Sequence, residues 1–212
     1  MDSGNNNDKH DATVLERLTF FSDAVFAIAI TLLVIEVRPP ELHEVSDQSL
    51  LYALVALTPK YIGFFISFCV IGRFWLGHHR LFGLLRRSDD KLVLANLAML
   101  FGIAFMPFPT AVFSEYFALK TSALLYAGWL ILLGLLNANV VRLATRPEIL
   151  APGHDAALAR RIRRGAWLPI LLGIAAVCAA FVAPGWVLLV LVLGPVLGTL
   201  AVRWSTRRGA GN

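Results

Sequence analysis

Apolar runs long enough to cross a bilayer as helices follow one another along almost the whole chain, and nothing between them is long enough for a soluble domain. A spanning helix takes roughly 20 apolar residues. Six segments approach or exceed that length, at about 14–37, 61–77, 92–113, 117–141, 166–182 and 186–204. A shorter apolar stretch, 49–58, breaks at Pro59-Lys60 and reads as an interfacial extension, because a lysine at mid-bilayer is costly. Of the 212 residues, 58% are apolar and 16% are charged, too few to clothe a soluble core of this size. The sequence therefore predicts an all-α membrane protein with six transmembrane helices, a single domain over residues 1–212. Residues 1–13 read as a flexible N-terminal segment, unlike a cleavable leader, and 205–212 as a C-terminal tail.

Charge fixes the expected orientation. If the N-terminus is cytoplasmic, only Arg38, Lys60 and Lys120 of the 19 Lys and Arg fall outside, leaving 19 − 3 = 16 inside. This positive-inside bias places both termini in the cytoplasm and the chain in the cell membrane. It also accounts for the formal charge of +5 without nucleic acid as a partner, since the basic residues sit at the ends of spans.

Catalytic patterns are absent: there is no phosphate-binding glycine loop, no paired-histidine zinc motif and no nucleophile elbow. The chain reads as neither an enzyme nor a metal or cofactor protein. His78 and His79 are adjacent, so on a helix they face different ways and make a poor metal pair. Cys69 and Cys178 lie in apolar runs and read as small packing residues. Arg160-Arg161-Ile162-Arg163-Arg164 fits a topology signal or a phospholipid headgroup contact better than RNA. Gly194-x-x-x-Gly198 fits a close helix contact.

The first span is different. Within 17–36 it carries Arg17, Asp23 and Glu36, and Asp23 lies about two turns inside, where an unpaired carboxylate is unfavourable by several kcal/mol. At 100° per residue, Ile28, Leu32 and Ile35 fall within about 60° of one another, flanked by Thr31 and Ala24. Asp23, Phe26 and Ile30 point to roughly the opposite side. An aliphatic stripe on a membrane helix most often faces lipid or a neighbour, and a structural hydrogen bond explains Asp23 as well as an ion site does. Arg17 and Asp23 are about 240° apart and cannot simply pair on one helix.

Arg17-x-x-x-Phe21-Ser22-Asp23, followed by Ala24-Val25-Phe26-Ala27-Ile28, resembles the signature of the transmembrane protein 175 family of potassium channels, and Phe74-Trp75-x-x-His78-His79-Arg80 is similar to that family too. The resemblance implies a homotetramer with one six-helix repeat per chain and the first helix of each subunit lining a central pore for K+. It implies a hydrophobic constriction at Ile28, Leu32 and Ile35 and a selectivity contribution from the Thr31 hydroxyl. Arg17, Ser22 and Asp23 would belong to a structural network with Trp75, His78 or His79. Dewetting of the aliphatic ring would close the pore, and Glu36, Glu41, Glu44 and Asp47 would concentrate cations at the outer mouth. The competing expectation is a small secondary transporter or proton-coupled cation exchanger with Asp23 as the titrating group. A lipid-directed membrane enzyme centred on His78-His79 is disfavoured by the lack of clustered carboxylates or a Cys/His constellation.

Overall fold

The computed structural model describes residues 2–183, 185–187, 190 and 191, with side chains from residue 11 onward. Among these residues the chain is all helix and connection, with no strand beyond an isolated bridge between Leu85 and Leu150. Five helical stretches are long and apolar enough to cross a membrane: Asp11–Glu36, Thr58–Phe82, Asp90–Glu115, Lys120–Ala144 and Ala156–Val182. The expected sixth span, 186–204, with Gly194 and Gly198, and the tail 205–212 lie wholly or mostly outside the described residues.

α1 runs from Asp2 to Leu32 and continues as a 3-10 turn, Leu33–Glu36. It starts well before the apolar run, because no proline interrupts the chain ahead of Pro39. Its α geometry ends earlier than the expected Val37, where the amide N–H bonds to the Val34 carbonyl three residues back. α2 is Asp47–Ala56, capped by the Ser46 hydroxyl on the Ser49 amide. α3 is Thr58–Phe82. Pro59 stands in its first turn, where a missing N–H costs nothing, so Pro59-Lys60 starts the helix rather than breaking one. At its far end α3 passes the expected stop at Gly77, so that His78, His79 and Arg80 are helical and not part of a loop.

α4, Asp90–Ala104, is capped by Asp89, and α5, Pro107–Glu115, follows a break at Phe105-Met106 that the prolines explain. α6 is Lys120–Ala144. The connection expected over 142–165 contains a helix, α7, Ala156–Gly165, and α8 is Leu168–Val182.

α1 packs on α3 and α4, α4 packs on α6, and α6 packs on α8. The α6–α8 contact is close because glycine removes side chains from it. A Cβ on Gly173 would lie 2.5 Å from the Ile131 side chain, and one on Gly134 would lie 2.6 Å from that of Ile170. A knot of hydroxyls ties α3, α5 and α6 together inside the apolar core: Thr110 donates to Ser67 over 2.8 Å, and Ser67 lies 3.0 Å from the Tyr126 hydroxyl. Cys69 and Cys178 are free thiols exposed on the subunit surface.

Candidate functional site

Two faces of α1 do different work. The inner face is Leu18, Ser22, Phe26, Ala29 and Leu33, all buried, at the spacing of three and four that makes one stripe of a helix. On this side Ser22 begins a chain of hydrogen bonds. Its hydroxyl donates to the Leu18 carbonyl over 2.8 Å, and its oxygen accepts from Asn96 Nδ2 over 2.9 Å. Asn96 Oδ1 in turn lies 3.0 Å from His78 Nε2. With the Asn96 amide so oriented, only a protonated Nε2 completes the contact, so His78 donates from Nε2 and its Nδ1 is bare. His78 Nδ1 is buried with no hydrogen-bond partner among the described residues. The imidazole stacks on Phe82 with ring centres 3.8 Å apart and leans on Phe26 at 5.6 Å. A one-way chain of donors thus joins α3 to α4 and α4 to α1, inside an apolar interior where each unmade bond costs the desolvation of its group.

Asp23, half-buried beside this stripe, takes a different partner. Its Oδ1 accepts a 2.9 Å hydrogen bond from Trp75 Nε1, and the Trp75 ring stacks on exposed His79 at 5.5 Å. Of the three partners the sequence offers Asp23, Trp75 makes the bond, while His78 turns inward to Asn96. Adjacent positions on α3 therefore point to opposite sides, and no metal-binding group of His, Cys, Asp and Glu forms among the described residues. Arg17 lies exposed, and no ion pair joins it to Asp23. Asn96 is not among the residues that the sequence motifs single out. The available signal was an amide inside the otherwise apolar run 92–113, which in a membrane must find a partner.

The outer face of α1 carries the aliphatic stripe. Ile28 is 58% exposed, Leu32 39% and Ile35 56% on the subunit surface. The 3-10 turn bears on their alignment: side chains three apart eclipse in that geometry, which brings Ile35 closer to the line of Leu32 than continued α-helix would. Thr31 is exposed on the same face, and its hydroxyl donates inward to the Ile28 carbonyl at 2.9 Å and the Ala27 carbonyl at 3.1 Å. The proton is held by the helix, which leaves the oxygen lone pairs directed outward.

Beyond the 3-10 turn, a recess of about 290 Å³ is lined in part by Glu36, Arg38, Lys60 and Glu115. Lys60 pairs with Glu115 at 2.7 Å, so its charge is balanced where α3 begins and α5 ends. At the opposite end, Asp89 accepts from the Leu92 amide at 2.9 Å and pairs with Arg146 at 2.7 Å. There partial desolvation works to raise its pKa, but the Leu92 N–H and the Arg146 guanidinium outweigh it and hold the Asp89 carboxyl below its ordinary value.

The architecture and these two faces define a small multi-pass, all-helical membrane protein whose first helix is anchored on one side and bare on the other. Residues 17–107 match the family described as endosomal/lysosomal potassium channel TMEM175. A potassium channel of Chamaesiphon minutus is 38% identical over 143 residues, covering 66% of this chain and 70% of that protein. The crystal structure of a lysosomal potassium-selective channel TMEM175 homolog, also from Chamaesiphon minutus, superposes with a TM-score of 0.78 at 30% identity, over 88% of this chain and 97% of that one. The human protein named endosomal/lysosomal proton channel TMEM175 is 28% identical over 171 residues, which is 78% of this chain but 33% of its own length. The chain belongs to the TMEM175 family.

Proposed function

We propose that the chain is one subunit of a homotetrameric cation channel with modest selectivity for K+, whose pore is lined by α1 and narrowed at Ile28, Leu32 and Ile35. The observation that carries this reading is the exposed aliphatic stripe on the face of α1 opposite its buried anchor. A stripe on the surface of one subunit encloses nothing by itself, so a pore lined by it has to form between copies. Membership of the family, and the names of its bacterial members, support the same reading.

Four copies of Ile28 around an axis make an aliphatic ring that expels water, and a dry ring blocks a hydrated ion without occluding the pore with protein. Leu32 and Ile35, aligned by the 3-10 turn, lengthen the dry section. Small outward or rotary movement of α1 wets it. Within the stripe, the outward lone pairs of Thr31 replace part of the hydration shell of a passing cation, and K+ gives up that shell more readily than Na+. A single hydroxyl layer discriminates less than a cage of carbonyls, hence the modest selectivity. Glu36, Glu41, Glu44 and Asp47, gathered between the end of α1 and the start of α2, raise the local concentration of cations at that mouth.

Replacing Ile28 with Asn tests the constriction. Purified Ile28→Asn protein in vesicles is expected to pass K+ roughly tenfold faster than the parent as the ring wets. Unchanged flux through correctly assembled protein overturns the proposal. The second reading, proton-coupled transport through Asp23, takes support from the proton-channel name of the human relative. Against it, the Asp23 carboxylate is engaged by Trp75. Asp23→Ala is expected to weaken assembly with ion preference intact; normal assembly with altered ion preference favours the second reading.

A further inference from the structure

Outside the pore-lining helix, the strongest feature left unexplained is α7. Its inward face, Leu158, Ala159 and Ile162, packs against the apolar core, while Arg160, Arg161, Arg163 and Arg164 all point outward and are exposed. None of the four makes an ion pair or a side-chain hydrogen bond among the described residues; the two ion pairs there are Lys60–Glu115 and Asp89–Arg146. The acid nearest in sequence, Asp155, is occupied in capping α7, accepting from the Ala157 and Leu158 amides at 2.9 and 3.0 Å.

Depth in the membrane follows from the packing of α8. α8 has 15 residues, so at 1.5 Å per residue it is about 22 Å long, short of the roughly 30 Å hydrocarbon layer. The helical path continues into it from α7 almost without a break, since Ala166 and Trp167 both keep right-handed helical geometry. The register is set by Ile170 against Gly134 and Gly173 against Ile131, so α7 runs alongside the last turns of α6. A span that enters at Lys120 uses roughly 20 residues to cross and leaves the apolar layer near Asn139. The arginines of α7 stand beside that point. Trp167, 59% exposed at the start of α8, marks the same boundary, as interfacial tryptophans do.

We propose that Arg160, Arg161, Arg163 and Arg164 form a binding site for the headgroups of anionic phospholipids at the level where α6 leaves the bilayer, fixing the short α8 at its depth. Charge complementarity identifies the occupant. Four unpaired guanidiniums at headgroup depth meet phosphates carried by lipid, and guanidinium binds phosphate in a two-pronged fashion. The inference does not depend on the chain conducting ions.

The test uses the full-length protein in nanodiscs of phosphatidylcholine, with and without phosphatidylglycerol, and native mass spectrometry of the lipids that stay bound. The parent is expected to retain phosphatidylglycerol over phosphatidylcholine by at least about tenfold. A variant carrying R160Q, R161Q, R163Q and R164Q is expected to lose that preference. The same four positions changed to Lys keep most of it, since charge is retained while the forked geometry is lost. The Gln variant should fold, because no structural contact is removed. If it does not, the Lys variant and a salt titration of the parent decide the matter, the preference falling at about 1 M salt. An undiminished preference in the Gln variant overturns the proposal. So does an equal loss in a Lys91→Gln control at the start of α4, which signifies diffuse surface charge. Displacement of the lipid by a short RNA overturns the proposal in favour of a nucleic acid.

Discussion

The inner and outer faces of α1 are both mainly apolar with one hydroxyl each, Ser22 and Thr31, yet they are constrained in opposite ways. On the inner face the polar groups form one chain, Ser22 to Leu18 and Asn96, and Asn96 to His78, with His78 Nδ1 the one atom of that chain left without a partner among the described residues. The outer face holds Ile28, Thr31, Leu32 and Ile35, all exposed on the surface of the subunit. The contrast separates what holds the helix from what the helix presents. In a membrane the aliphatic stripe has no hydrophobic reason to prefer protein over lipid, because lipid tails are equally apolar. The inner face is therefore where the position of α1 is decided, and its polar chain supplies the specificity that apolar burial alone does not.

The largest effect is expected from breaking the inner chain in the middle. Asn96→Leu removes both the acceptor for His78 and the donor to Ser22, leaving the buried His78 Nε2–H unpaired and Ser22 with only its own bond to Leu18. A loss of about 2–4 kcal/mol of stability is expected, seen as a lower melting temperature in detergent. Ion flux per folded channel should change much less. If Asn96→Leu is as stable as the parent, the inner face is not the anchor. Ile28→Asn makes the converse contrast: a large gain in K+ flux with a stability within about 0.5 kcal/mol of the parent, since the side chain is exposed on the subunit. A strong destabilisation by Ile28→Asn would place the stripe in a packed interface rather than at a water-filled axis. Trp75→Phe sits between the two faces. It deletes the donor to Asp23 and keeps the ring, and about 1 kcal/mol is expected. Thr31→Val, with the same shape and no hydroxyl, should lower the preference for K+ over Na+ while leaving total conductance near that of the parent.

The sequence makes one of these faces easier to see than the other. Apolar length is a one-dimensional property, so five spans are legible as runs, and the aliphatic stripe emerges from simple helical phase. The inner face depends on an amide 74 positions away from Ser22, and no spacing within a motif announces Asn96. Its only signal is energetic: an amide in an apolar run must be answered by something. α7 escaped for a related reason. Pro152-Gly153 and the arginine run look like a connection until Leu158, Ala159 and Ile162 are seen to share one face. The apolar run over 61–77 ends before α3 does, because His78, His79 and Arg80 are polar yet helical, and a single glycine at 77 costs a helix only about 1 kcal/mol.

The smallest effect concerns the end of the subunit far from the recess, where Asp89 caps α4 and pairs with Arg146. Its folded pKa is depressed below the ordinary value of 3.8, so the unfolded chain binds this proton more readily than the folded one does. The contribution is therefore complete at neutral pH and declines as the pH falls below 3.8 through the depressed value. Both partners are partly open to water, and screening limits the pair to a few tenths of a kcal/mol. Asp89→Asn keeps an oxygen for the Leu92 amide and discards the charge, so it isolates the pairing from the capping. The expected outcome is a slightly shallower loss of stability as the pH falls below 3.8 than in the parent, by roughly that amount. An acid slope identical in parent and variant would mean that Arg146 holds Asp89 no more tightly than water does, and that the connection between α3 and α4 is held by its main-chain bonds to the segment after α6: Arg86 to Ile149 and Ala151 to Leu84.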